Sequence, residues 1–185
     1  MKQKRTFVTL LLIIALLCLG IAYAAISGVN LTVTGNVSAT AADGYVKVQF
    51  TEAKTTVEPA VGNAEANLGT ADETTGLVTT ATFNVSGLTT EGQTATFTYT
   101  IENGSSDMAA TLANPTISWD AKGAEWFDVD MELSTNDLTE SDGDANSATL
   151  TLTVTLLKTP VSTNDETAST DTATITIVAE PVENN

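Results

Sequence analysis

Hydrophobic and polar residues alternate with a period of two through much of the chain after residue 28. The first such segment covers residues 29–37, where Gly35 takes one position of the apolar series and polar residues stand between its members. Its large apolar side chains belong to Val29, Leu31, Val33 and Val37. Because successive side chains of a strand point to opposite faces, this pattern predicts a half-buried β-strand.

The same alternation recurs further along the chain and predicts more strands. Regular examples are centred on residues 46–50, 81–85, 95–101, 150–156 and 173–179. Residues 111–119 and 127–133 predict less regular strands, and residues 55–76, where the alternation stops, predict a long loop. No segment after residue 28 favours an amphipathic helix, because Thr and Val dominate and good helix formers are sparse.

Turn-forming pairs separate the predicted strands, as at Asp43-Gly44, Asn103-Gly104 and Asn114-Pro115. About eight short strands with one polar and one apolar face suit two sheets packed face to face. The sequence therefore predicts an all-β fold, an antiparallel sandwich or jelly roll spanning residues 44–185.

The first 24 residues have the layout of an export signal. Lys2, Lys4 and Arg5 precede an apolar segment, and Ala22-Tyr23-Ala24 offers small residues for cleavage after Ala24. A competing interpretation keeps this hydrophobic helix as a membrane anchor, since residues 7–26 are about long enough to cross a bilayer. Both interpretations place the rest of the chain outside the cell, with membrane contact only through this segment.

Composition excludes several kinds of function. The 185 residues include 23 Asp or Glu, 7 Lys or Arg and no His, which gives a net charge of −16. Nucleic acid binding needs basic residues to neutralise phosphates, so we expect no nucleic acid partner. The only cysteine, Cys18, lies in the export segment, so the remainder lacks the side chains of thiol and histidine catalysis.

Two acidic groups offer weak candidates for chemistry. Asp120 and Glu125 lie between Trp119 and Trp126, a combination found in sugar sites, although the tryptophans equally suit a plug at one end of the sandwich. A second group crowds the loop around Gly143 and offers oxygen ligands for calcium. Its members are Asp137, Glu140, Asp142 and Asp144. Exposed acidic loops are usually solvated without binding an ion, so we expect no obligatory cofactor. We also expect no enzyme activity.

The strand that follows the predicted cleavage point is the segment that says most about function. Residues 25–43 would form a free amino end, the strand at 29–37 and a loose tether at 38–43. A tethered terminal strand can pair with its own sheet or with the exposed edge of a neighbour, because the main-chain groups are the same in both cases. Repeated head-to-tail pairing that does not close would give a fibre. The residues alone leave both alternatives open.

A family resemblance favours the second alternative. The export segment leads directly into a Thr/Val strand, and residues 97–106 read Phe-Thr-Tyr-Thr-Ile-Glu-Asn-Gly-Ser-Ser, followed by Met-Ala-Ala-Thr-Leu at 108–112. This layout resembles the camelysin/TasA group of exported bacterial proteins. The resemblance implies a jelly-roll subunit of matrix fibres, joined by an N-terminal donor strand that would map onto residues 29–37. Camelysin-like proteins are also described as metallopeptidases, an activity that we do not expect from a chain without histidine.

The sequence therefore predicts a secreted or cell-surface structural protein of a biofilm matrix that assembles by strand addition. Its expected partners are copies of itself or related surface subunits, and signal peptidase during export. The alternative is a monomeric adhesion or carbohydrate-binding sandwich that uses Trp119 and Trp126. Because like-charged subunits repel, assembly is expected to strengthen with salt or falling pH.

Overall fold

The structure is a computed structural model that describes residues 31–41, 46–58, 62–120, 122–160 and 171–182. These residues form two β-sheets packed face to face, which confirms the predicted all-β sandwich. The predicted export segment, and Val29 of the predicted assembly strand, lie outside the described residues. Within the part of the chain that the structure describes, no helix has the length and hydropathy that crossing a membrane needs.

The larger sheet has seven strands. Their bounds are β1 Leu31–Ala41, β3 Asn63–Leu68, β4 Thr80–Leu88, β6 Ala109–Leu112, β7 Thr116–Trp119, β9 Asp137–Leu138 and β11 Asp171–Val182. They follow the order β3-β4-β1-β11-β6-β9, with β7 also paired to β11. The first strand therefore lies inside the sheet, antiparallel to β4 and parallel to β11. That parallel pair departs from the purely antiparallel arrangement predicted. It places the first and last described strands side by side, and no local turn connects them.

The smaller sheet has four strands. Their bounds are β2 Val48–Val57, β5 Thr94–Asn103, β8 Phe127–Leu133 and β10 Ser147–Leu156, and they follow the order β2-β5-β10-β8. The central strands alternate strictly, so that threonines cover the outer face while apolar residues face the other sheet. One short helical turn, α1, covers Gly123–Trp126 and leads directly into β8.

The core lies between the two sheets and follows the predicted alternation. Its largest fully buried side chains come mostly from β4, β5, β8 and β10. They include Tyr99, Phe83, Phe97, Phe127, Leu150 and Leu152. Phe83 of the larger sheet packs on Phe97 of the smaller one, with ring centroids 5.4 Å apart. Burial of these side chains stabilises the fold by about 1.5–3 kcal/mol each before ordering costs.

The predicted loop at residues 55–76 is wrong, because β2 continues to Val57 and β3 occupies Asn63–Leu68. Strand β3 lies at the edge of its sheet and buries only Ala64, so main-chain pairing with β4 holds it and little apolar alternation is needed. Residues 111–119 form two strands, not one. Both β6 and β7 pair with β11. The Ala113 amide still donates to the Val178 carbonyl oxygen of β11 at 2.8 Å, and the pairing is interrupted at Asn114 and Pro115.

The predicted tether at residues 38–43 is also partly wrong. Strand β1 continues to Ala41, and Ala39 is fully buried in the core. The alternation continues through Ser38, Ala39 and Thr40. Their side chains are small, and such a composition is also typical of a linker, so it does not distinguish a strand from a tether. Ordered pairing with β11 extends over the same residues, up to Ala41 opposite Ala179.

Candidate functional site

Strand β1 lies between β4 and β11 in the larger sheet. The position that it occupies between these two strands is called the cleft below, and β4 and β11 are its walls. Asn36 lies opposite Thr82 of β4 on one side and opposite Thr174 of β11 on the other. Of the predicted assembly residues, Leu31 and Val33 belong to β1 through their main-chain pairing with β4, and Val37 is fully buried. The strand that the sequence singled out therefore completes the sheet of its own chain.

The described side chains of β1 add little volume to the core. The buried inner positions from residue 34 onward are Gly35, Val37 and Ala39. None of the largest fully buried side chains belongs to these residues. From Val33 to Ser38 the strand is paired along both edges, with β4 and with β11, and most of the largest fully buried side chains of the described residues come from other strands.

Gly35 is a point of close approach between β1 and β4. It pairs with Phe83 of β4, and a methyl group added at residue 35 would overlap Cε1 and Cζ of that ring. Glycine inside a strand costs about 0.5–1 kcal/mol relative to alanine, so close backbone approach is the physical reason for its presence here. Ala173 of β11 lies opposite Gly35 on the other side, which leaves room for the ring above both strands.

Both walls of the cleft have partners other than β1. Strand β4 pairs with β3, and its Thr82 carbonyl oxygen accepts a hydrogen bond of 2.9 Å from the Tyr99 hydroxyl of the smaller sheet. Strand β11 pairs with β6 and β7. The contacts that hold β4 and β11 therefore do not all pass through β1.

A buried polar cluster lies where the chain enters β2. The side-chain amide of Asn103 donates to the carbonyl oxygens of Met108 at 2.8 Å and Thr139 at 3.0 Å, and its oxygen accepts from the Ser105 amide at 3.0 Å. The Ser105 hydroxyl in turn accepts a 2.8 Å hydrogen bond from the amide of Lys47. The cluster therefore ties the start of β2 to the turn after β5 and to the acidic loop.

The acidic candidates do not converge in the structure. Asp142 and Asp144 are exposed, Asp137 accepts a hydrogen bond of 3.2 Å from Thr111, and Glu140 is half-buried. Across the described ranges, no three acidic, histidine or cysteine side chains are grouped so that they could hold a metal ion. Calcium binding by this loop stays a prediction.

The two tryptophans lie on consecutive elements, Trp119 as the last residue of β7 and Trp126 as the last residue of α1. Trp126 is buried to 6% exposure, and the Lys158 ammonium lies 4.1 Å from the centroid of its ring. Trp119 is half-buried and stacks on Phe127 with centroids 6.3 Å apart. Both rings are therefore in contact with side chains of the same chain, Trp126 with Lys158 and Trp119 with Phe127.

The carboxylates between the tryptophans, Asp120 and Glu125, are both exposed. Asp120 follows the last residue of β7, and Glu125 lies within α1. The Asp120 amide donates to the carbonyl oxygen of Thr172 at 3.1 Å, so the main chain at this point is held by β11.

Sequence reasoning missed the residues that define the cleft. The alternation alone makes Gly35 one more position of the apolar series, and it places Phe83 and Tyr99 at inner positions like any other. A glycine at an inner position of an otherwise β-branched strand was the available signal, because it indicates a neighbouring group that needs the space. Which ring takes that space depends on strand pairing, which alternation does not specify.

Comparison with known proteins gives only distant similarities. No protein-family model and no curated protein matches the chain. Among solved structures, it is similar to the GAE domain of yeast GGA1, with 12% identity, a TM-score of 0.24 and coverage of 55% of this chain and 69% of that one. The major pilin from Streptococcus pyogenes gives 11% identity, a TM-score of 0.24 and coverage of 83%, and the chain spans about half (49%) of the pilin. The RahU protein gives 10% identity, a TM-score of 0.23 and coverage of 82% of this chain and 97% of that one. Similarities at these TM-scores carry no functional argument.

Proposed function

We propose that this protein is an exported structural subunit of a cell surface or biofilm matrix, and that it polymerises by exchanging β1 between copies. The observation that carries the proposal is the position of β1 in the cleft between β4 and β11. A strand from a second copy would make the same main-chain hydrogen bonds to both walls.

Three features of the cleft support exchange. The described buried positions of β1, Gly35, Val37 and Ala39, include none of the largest fully buried side chains, so much of the described core remains when the strand leaves. Each wall has other partners, including the hydrogen bond from Tyr99 to Thr82. Only six residues, 42–47, connect β1 to β2, and the contact of Lys47 with Ser105 fixes where that connection enters the sandwich.

Exchange between copies is directional. The first strand of one copy would complete the sheet of the next, whose own β1 would pass to a third, so the contact is head-to-tail. At high subunit concentration the intermolecular form is favoured by mass action, because both forms make the same strand contacts. Export, indicated by the composition of residues 1–24, would deliver the subunits to the place of assembly.

A cysteine pair tests the proposal without disturbing the core. Asn36 and Thr82 are exposed and directly opposite each other, so their Cβ atoms are within about 4.5–5.5 Å in a paired antiparallel ladder. We would introduce Asn36→Cys and Thr82→Cys in a Cys18→Ser background, allow the purified protein to assemble and oxidise it gently. A ladder of disulfide-linked multimers on a denaturing gel is the expected result.

The control pairs Asn36→Cys with Glu52→Cys, because Glu52 is exposed on β2 in the other sheet and should give no ladder. A single monomeric cross-linked band at every protein concentration would overturn the proposal, since β1 would then stay in its own chain. This design is preferable to deleting β1, because deletion removes an internal strand of the sheet. N-terminal sequencing of the protein recovered outside the cell tests export, with residue 25 as the expected first residue.

The alternative, a monomeric adhesion or carbohydrate-binding sandwich, receives no support from the two tryptophans. The Lys158 ammonium covers the ring of Trp126, and Trp119 is stacked on Phe127. A sugar would have to displace these contacts before stacking on either ring.

A further inference from the structure

On its inner face β1 packs against the ring of Phe83, which leaves space only for glycine at residue 35. Gly35 lies directly opposite Phe83, whose ring also packs against Phe97 of the other sheet. The ring is therefore held between the two sheets and has little freedom to move aside. Even the single methyl of alanine at residue 35 would overlap it.

The neighbouring inner positions of β1 all carry side chains. In the observed register Val37 lies opposite Ala81, and Val33 opposite Val85. A shift by two residues would bring Val33 or Val37 opposite Phe83, and a shift by four would bring Ala39 there, each with a Cβ that overlaps the ring. A shift by one residue would turn the apolar positions toward solvent.

We propose that Gly35 and Phe83 together select the register in which β1 of one copy seats in the cleft of the next. This inference rests on the proposed strand exchange and names the residues that give it specificity. The accepted partner is a strand with a glycine flanked two residues away on each side by β-branched residues, as in a second copy of this chain. Strands with a side chain at every inner position are excluded.

Exchange separates the two residues onto different chains, which allows a test in trans. Gly35→Val alone brings a side chain against Phe83, and Phe83→Ala alone leaves a void beside Gly35. In an equimolar mixture, alternating contacts restore one native pair and place the introduced valine side chain in the enlarged cleft. We expect the mixture to assemble faster than either variant alone, by roughly tenfold given the effect of overpacking a core.

The register itself can be read in chains that keep Gly35. Asn36→Cys with Thr82→Cys reports the native register, and Ser38→Cys with Thr82→Cys reports a shift by two on the same face. We expect the intermolecular native cross-link to exceed the shifted one by roughly tenfold. Phe83→Leu should lower that ratio, whereas the matched control Phe127→Leu, which removes the same volume from β8 of the other sheet, where the ring stacks on Trp119, should not.

The outcomes separate this inference from the proposed function. An intermolecular ladder with Asn36→Cys and Thr82→Cys, together with equal native and shifted cross-links, would overturn the role of Gly35 and Phe83 and leave strand exchange standing. A ratio that falls equally in Phe83→Leu and Phe127→Leu would also overturn it. Absence of any ladder in chains with both Gly35 and Phe83 would overturn the proposed function and, with it, this inference.

Discussion

The hydroxyl of Tyr99 donates a 2.9 Å hydrogen bond to the carbonyl oxygen of Thr82, joining the two sheets through the core. Tyr99 is fully buried in the smaller sheet, and Thr82 lies on the wall of the cleft that holds β1. The bond therefore connects the position of β4 directly to the most regular strand of the other sheet.

Tyr99→Phe removes this bond and leaves the ring in place. At pH 7 we expect the free energy of unfolding to fall by about 1 kcal/mol, because one buried hydrogen bond is lost. Urea unfolding followed by circular dichroism measures the change. A variant as stable as the parent protein would contradict the structural role of the bond.

The same tyrosine gives a pH dependence. Burial raises the pKa of Tyr99 above its usual value near 10, because the phenolate is disfavoured inside the core. Below that value both states are protonated and the contribution is fully present. Above it the unfolded chain ionises first, so stability is lost by about 1.4 kcal/mol per pH unit until the folded pKa is reached. Unfolding measured from pH 8 to 11 should show this component in the parent protein and lose it in Tyr99→Phe.

The buried amide of Asn103 joins three segments of the chain. Asn103→Ala would leave the carbonyl oxygens of Met108 and Thr139 and the amide of Ser105 without these partners. We expect a loss of about 3 kcal/mol in the free energy of unfolding, at about 1 kcal/mol for each hydrogen bond. Asn67→Ala, at an exposed position of β3, is the matched control and should change stability by less than about 0.5 kcal/mol. Equal effects of the two substitutions would argue against the cluster.

Trp126 is expected to act through packing. Trp126→Ala removes a buried ring and should destabilise the protein by about 3–5 kcal/mol. Lys158→Gln, which removes only the ammonium over the ring, should cost about 0.5–1 kcal/mol and shift tryptophan fluorescence. Glycan binding that appears or strengthens in Lys158→Gln, where the ring of Trp126 is uncovered, would instead favour the carbohydrate-binding alternative.

Alternation along the chain was sufficient to identify the core strands. In β5 and β10 the predicted inner residues, such as Phe97 and Leu152, are fully buried, because each strand presents a single face to the other sheet. It was insufficient for β3, whose place at the sheet edge depends on main-chain pairing with β4. At this edge β3 needs few apolar residues, so its sequence resembles a loop.

Pairing between distant strands could not be predicted either. Alternation predicts which face of β1 is buried, but it does not predict which strands lie beside β1. One of them, β11, is separated from β1 in sequence by almost the whole domain. The meeting of Gly35 with Phe83 follows from that topology and from the β1–β4 register. The sequence shows that a glycine is present. The ring that requires it can be identified only when the order of the strands in the sheet and their register are known.

The edge of the smaller sheet is protected by charge. Within the described residues β8 pairs with β10 alone, and its exposed side chains are Asp128, Asp130 and Glu132. Charged residues on an edge strand oppose pairing with another edge. Replacing all three with Asn or Gln should promote association through β8, seen as increased light scattering with no rise in the cross-linked ladder from β1.

The control for this edge removes the same charge elsewhere. Neutralising Glu125, Asp142 and Asp144, which are exposed and lie outside β8, reduces the magnitude of the negative net charge equally. If both triple variants associate to the same extent, the effect belongs to net charge, and the protection assigned to β8 is wrong.

Net charge predicts how assembly responds to salt. At −16 the subunits repel one another, and the distance over which exposed charges act falls from about 30 Å at 0.01 M ionic strength to about 8 Å at 0.15 M. We therefore expect polymerisation to accelerate between these two conditions, as measured by light scattering and by the ladder from the Asn36 and Thr82 cysteine pair. Calcium chloride and sodium chloride compared at equal ionic strength separate screening from ion binding, since screening alone makes the two salts nearly equivalent. Polymerisation that slows with added sodium chloride would contradict the prediction, because attraction between opposite charges would then have to dominate the contact between subunits.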